Sequence, residues 1–103
     1  MLFQVNYTIR AGGSAKDNEE SGRRAQKLFA KWTPPAGMEM KSFHARADGR
    51  GGTIVLETNN VKTLLDGPAK FGIFNEFEIV TILDITEAVE VESEALDWIA
   101  SIS

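Results

Sequence analysis

A single histidine, His44, stands in this sequence among polar residues that recur by twos along segments of alternating hydropathy. Imidazole alone among its side chains has an ordinary pKa near neutrality, so proton transfer at neutral pH would fall to His44 as general base. A carboxylate such as Glu57 would orient the ring, and the Asn6 amide would donate to a carbonyl or oxyanion. Gln4, Asn6, His44, Glu57 and Glu78 all fall on one side of their segments, so they are expected to share a sheet face and to line a binding pocket there. Trp32 is the expected aromatic anchor at its rim, or an ordinary packing residue of its helix. The bland alternative is that these polar groups line a wet sheet face or satisfy one another across a dimer interface. His44 is the sensitive position, because one bulge between Lys41 and Arg46 would turn it to the other face.

Other chemistries find less support. With no cysteine in 103 residues, disulfides, thiolate metal sites and cysteine nucleophiles are excluded. One histidine with scattered carboxylates lacks metal-ligand spacing, so neither a metal nor a cofactor is expected. Ala11-Gly12-Gly13-Ser14 precedes a helix but has neither GxGxxG nor the P-loop lysine pattern, and reads as a connection. Arg50 between glycines reads as a hairpin turn. No nucleophile elbow is present to support a Ser-His-Asp arrangement. Eleven basic against fifteen acidic residues give a net charge of -4, which is no footprint for nucleic acid or an anionic membrane. No segment has the length and hydropathy of a membrane span, and MLFQVNYTIR lacks the basic and apolar regions of a signal peptide. A cytoplasmic protein is the expectation.

The elements that must position these residues follow from periodicity. Leu2 to Arg10 alternates as a half-buried strand, with Phe3, Val5, Tyr7 and Ile9 on one face. Asp17 or Asn18 is the expected cap of a helix carrying Ala25, Leu28, Phe29 and Trp32 on one stripe and stopped by Pro34-Pro35. Met38 to Arg46 and Thr53 to Thr58 read as a hairpin about Asp48-Gly49-Arg50-Gly51-Gly52. A second helix is expected from Asn59 or Asn60, with a stop or kink at Gly67-Pro68. Phe74 to Leu83 is a strand, and Asp84 to Ser101 a third helix with an acidic amphipathic pattern.

The length suits one domain spanning residues 1–103, with a βαββαβ core over 1–85 and a C-terminal helix over 86–103. This order predicts an α+β, ferredoxin-like sandwich. With helices on one face, the opposite face is mixed polar and apolar, which suits pairing with a second copy. A homodimer through the sheet faces, closing a partly polar barrel, is the expected assembly.

MLFQVNYTI, Trp32-Thr33-Pro34-Pro35-Ala36-Gly37, the Asp48 to Gly52 turn followed by Ile54-Val55-Leu56-Glu57-Thr58, and the run Phe77 to Ile85 together resemble a family of short bacterial proteins known only as a domain of unknown function. The resemblance covers about residues 1 to 90. That family is similar to the dimeric α/β-barrel superfamily, which includes cofactor-free monooxygenases, lactone isomerases and haem-degrading enzymes. The resemblance implies the fold and the dimer, while a haem role is disfavoured because the one histidine sits on a strand. Three roles are left open: a small-molecule-binding protein, a cofactor-independent monooxygenase or isomerase acting on a small cyclic or aromatic substrate with His44 and Asn6 in its site, and a ligand-free structural or regulatory dimer.

Overall fold

The computed structural model describes residues 1–102. Its elements are β1 (Leu2–Ile9), α1 (Ala15–Lys31), β2 (Glu39–Ala45), β3 (Gly51–Glu57), a 3-10 turn (Val61–Leu65), α2 (Asp66–Phe71), β4 (Asn75–Ile82) and α3 (Ile85–Ile102). The four strands form one antiparallel sheet in the order β2-β3-β1-β4. That order, with α1 and α2 in the two crossovers, is an α+β arrangement consistent with a ferredoxin-like fold. Ser103, which closes the expected helix 86–103, lies outside the described residues.

Alternation along β1 decides the two faces. Phe3 and Val5 are each 4% exposed, and they pair across to Leu56 and Ile54 of β3 and to Thr81 and Ile79 of β4. Phe3, Val5, Leu56 and Leu64 make the core, with Met38, Met40, Ile54 and Phe77 packed against it. Burying such side chains stabilises by ~1.5–3 kcal/mol each, so this small cluster carries much of the fold. Leu64 comes from the 3-10 turn, which is tied to the end of β3 by Thr58. The Thr58 hydroxyl accepts from the Asn60 amide at 3.1 Å and lies 3.0 Å from the Thr63 hydroxyl.

Local chemistry moves several boundaries. Helix α1 starts at Ala15 because Ser14, rather than Asp17 or Asn18, is its cap. The Ser14 hydroxyl accepts from the Asp17 amide (3.1 Å) and the Asp17 carboxylate accepts from the Ser14 amide (3.3 Å), a capping box. Gly13 precedes it at φ 72, where any Cβ would meet the Asp17 carboxylate. The second helix is not continuous. Asn60 caps the 3-10 turn through the Lys62 amide (3.2 Å), and α2 begins afresh at Asp66. Pro68 therefore lies in the first turn of α2, where a missing N–H costs nothing, instead of ending a helix.

The hairpin β2-β3 contains an irregularity: Met40 faces Leu56 while Ser42 faces Val55, so Lys41 is an extra residue in β2. A bulge at this point keeps both Met40 and Phe43 on the helix side of the sheet. His44, paired with Thr53, stays on the open side.

Candidate functional site

The open sheet face carries the polar residues expected from the sequence. His44, Thr53, Asn6 and Glu78 occupy one row across all four strands. The structure joins three of them with Gln4. Asn6 Oδ1 accepts from Gln4 Nε2 and from the Thr53 hydroxyl, both at 3.0 Å, and Asn6 Nδ2 donates to Glu78 at 3.1 Å. Asn6 is thereby bonded on three sides within its own sheet, with one amide N–H left over.

His44 and Glu57 do not meet. Glu57 pairs with Glu39 and lies four residues beyond Thr53 on β3, which at ~3.3 Å per residue separates it from His44 by roughly 13 Å. Glu57 is instead bound by Lys41 (3.3 Å), which also binds Glu39 (3.2 Å). Those two carboxylates hold the Lys41 ammonium above its usual range, Glu39 first and Glu57 second. No carboxylate orients the imidazole, and among the described residues the His44 side chain has no hydrogen-bond partner.

A second surface lies on the other side of the sheet. Between α1 and the strands opens a hollow of about 550 Å³, within the ~300–1,000 Å³ typical of small-molecule sites. Its ceiling is one stripe of α1, in which Ser21, Gly22 and Ala25 are too small to reach the sheet and Phe29 closes the far end. Its floor comes from Tyr7, Ile54, Phe43 and Phe77, and its end wall from Phe71 and Trp32.

Aromatic rings dominate one end. Phe29 stacks on Trp32 (6.0 Å between ring centroids, 25° between planes) and meets Phe43 and Phe71 edge-on at 5.6 and 6.1 Å. Tyr7 meets Phe43 edge-on at 6.0 Å, and Trp32 meets Phe71 at 6.3 Å. Such pairs add ~0.5–1.5 kcal/mol beyond burial and hold one another in place. Tyr7 fits because Gly52 lies beneath it: a Cβ there would come within 2.7 Å of the Tyr7 hydroxyl and ring.

Trp32 is fixed by chemistry as well as by packing. As the C-cap of α1 it turns out of helical geometry, and its indole Nε1 donates to Asp66 Oδ2 at 2.8 Å. Lys70 binds the same carboxylate at 3.0 Å. The indole bond first and the ammonium second hold the Asp66 carboxyl below its usual range.

Polar groups in the hollow are few. Asn18 accepts from the Gly12 amide (3.2 Å), Asn75 donates to the Phe71 carbonyl (3.4 Å), and Arg10 donates to the Gly72 carbonyl (2.9 Å) and to Glu76 (3.3 Å). The side chains of Ser21 and Gln26 and the Tyr7 hydroxyl have no such partner among the described residues. Arg10, the one ionised side chain lining the hollow, is thus already paired, and no free charge faces the space.

Of the residues expected at a site, Trp32 lines the hollow, Gln4, Asn6 and Glu78 form the bonded cluster on the open face, and His44 and Glu57 stand apart from that cluster and from each other. Periodicity placed Tyr7 and Phe29 on packing faces and left Phe43 and Phe71 out of account. The signal for the hollow was the run of small residues at Ser21, Gly22 and Ala25 on the same stripe as Phe29, because a helix stripe without bulk cannot fill the space beneath it. Among the described residues no group of three or more His, Asp or Glu side chains could hold a metal ion, and no helix is long and apolar enough to cross a membrane.

Searched against known proteins, the chain matches no curated one. A family match does extend over residues 1–96, past the expected limit near residue 90 and well into α3. On that match, the chain belongs to the family described as a domain of unknown function, DUF3303.

Proposed function

We propose that this protein binds a small, neutral, largely apolar molecule in the hollow between α1 and the sheet, and that it works as a homodimer paired through its open sheet faces. The ligand reading is carried by the hollow itself, which is roofed by small residues, walled by Phe29, Trp32, Phe43 and Phe71, and free of unpaired charge. The one charge lining the hollow, Arg10, is already bonded to Glu76 and to the Gly72 carbonyl, so a neutral ligand is favoured over an ionised one. Ring systems suit the edge-on walls, and Ser21, Gln26 and the Tyr7 hydroxyl offer hydrogen bonds to fix its orientation.

Titration with the neutral fluorophore N-phenyl-1-naphthylamine tests this reading. Saturable binding is expected, weakened at least tenfold by Ala25→Phe, which fills the roof, and unchanged by Asn6→Ala, which lies on the opposite face. Absence of saturable binding, or loss in Asn6→Ala with retention in Ala25→Phe, overturns the assignment. A melt of each variant shows whether the fold persists.

A second reading is cofactor-independent catalysis on the open face, with His44 as base and Asn6 as donor. In its favour His44 and Asn6 share one row, flank Thr53, and leave the imidazole uncommitted. Against it, Asn6 is already bonded on three sides. The same mutual bonding favours the third reading, in which the open face serves assembly alone.

A further inference from the structure

Helix α3 has no buried residue, and only Ala88 is even partly shielded. An isolated helix of this length is marginal in water, and most helices owe their stability to an amphipathic face packed on something else. At ~100° per residue, α3 has such a face. Val89, Val91, Leu96, Trp98, Ile99 and Ile102 fall within about half its circumference, interrupted only by Glu92, while Glu87, Glu90, Glu94 and Asp97 occupy the other half. Leu96 and Trp98 are each 66% exposed.

The body of its own chain does not cover this face. Only Leu83 and Asp84 separate α3 from β4, and the Asp84 carboxylate accepts from the Thr86 amide (2.9 Å) and hydroxyl (2.7 Å), which fixes where the helix begins. A helix of 18 residues is ~27 Å long, and its projection accounts for a molecule of 62 × 31 × 20 Å.

We infer that α3 is an exchange arm, docking its apolar face on the open sheet face of a second copy at the end formed by Leu2, Val55, Val80 and Ile82. The inference rests on the homodimer reading and adds the element that holds the pair together. Area supports a second copy. At on the order of 100 Å² for each large apolar side chain, one such face removes several hundred Å² from water, and two symmetric arms with their docking surfaces reach the ~800 Å² per partner of a stable interface. The breadth of the apolar arc points to the sheet of the second copy, not to its α3: only one carboxylate, Glu92, lies within it, and the other four occupy the opposite half of the helix. An apolar arc this broad exceeds the narrow seam of a helix pair. The receiving surface is continuous with the arm: the row Glu57, Leu2, Ile82 and the row Val55, Gln4, Val80 are the rows nearest the end of β4 from which α3 departs.

Because the chain contains no cysteine, single cysteines report proximity directly. Val80→Cys and Leu96→Cys proteins, one carrying a mass tag, are mixed under reducing conditions, allowed to exchange, and then oxidised gently. The expected product is the mixed Val80–Leu96 disulfide, formed at least tenfold faster than either like pair. Leu96–Leu96 as the main product would show arm-to-arm pairing, and Val80–Val80 alone would show sheets that meet without the arm. A monomeric disulfide in the doubly substituted chain would show docking on its own sheet. Each of these overturns the exchange arm. Native mass spectrometry of the unsubstituted chain separates the two levels: a monomer at all concentrations removes the homodimer as well, while a dimer lacking the mixed disulfide removes only the arm. In support, Leu96→Glu with Trp98→Glu should give a monomer that still melts cooperatively; a persisting dimer counts against the arm.

Discussion

Trp32 and Asp66 join the end of one helix to the beginning of another: the indole Nε1 of the α1 C-cap donates to the first carboxylate of α2 at 2.8 Å. The contact spans two crossovers that the sheet alone would leave independent. It holds Trp32 against Phe29 and Phe71 and so sets the position of the aromatic end wall of the hollow.

This contact makes Trp32 a pH reporter. Because the folded-state pKa of Asp66 is lowered, its contribution is present above the ordinary aspartate value of ~3.9 and is lost as pH falls through the folded value. Trp32 fluorescence should therefore hold constant from neutrality to about pH 4 and change below it. In Asp66→Asn that acid transition should disappear, as followed by emission spectra against pH in a Trp98→Phe background.

Gly52 should be sensitive to the smallest side chain. A Cβ would lie 2.5 Å from the His44 carbonyl oxygen and 2.7 Å from the Tyr7 ring, and both the β2 backbone and the phenol would have to shift. Gly52→Ala is expected to cost ~1–3 kcal/mol. Urea unfolding should show a lower midpoint at unchanged slope, with weaker fluorophore binding because Tyr7 is pushed into the hollow.

Adjacent leucines should behave oppositely. Leu64 is 7% exposed and belongs to the core, whereas Leu65 is 65% exposed. Leu64→Ala should cost ~2–5 kcal/mol, and Leu65→Ala no more than ~0.5 kcal/mol. Equal effects in thermal melts would mean that the 3-10 turn is seated differently.

His44→Gln should leave stability within ~0.5 kcal/mol, since the side chain is exposed and unbonded. Binding in the hollow should not change. Should turnover of any substrate be found, its loss in this variant with the assembly intact would establish the open-face reading, and its persistence would remove His44 as base.

The strands, their order and the faces of β1, β3 and β4 were legible because alternation is strict in Phe3, Val5, Tyr7 and Ile9 and in their partners. His44 also lies on its expected face, although β2 is bulged. The bulge falls at Lys41 and moves Met40, not His44, a displacement that no single-residue pattern marks. Asp17 is as well suited by type to cap α1 as Ser14 is, and only the reciprocal bonds of the capping box distinguish N-cap from third helical residue. The separation of His44 from Glu57 is a matter of register, which alternation does not encode. The hollow is hidden for a different reason: a pocket is an absence of side chain, and a stripe pattern of Ala25, Leu28, Phe29 and Trp32 marks what packs rather than the room left at Ser21 and Gly22.

The two edges of the sheet differ in a way that bears on how this chain would fail. At β2 the extra residue Lys41 and its two carboxylate partners interrupt the outer row of backbone donors and acceptors. Edge β4 has no such guard: eight residues stay in unbroken register with β1, and beyond Glu78 they read Ile79-Val80-Thr81-Ile82 with neither proline nor charge. Self-templated, fibril-like growth would therefore be one-sided, recruiting further chains along β4 while β2 stays closed to them.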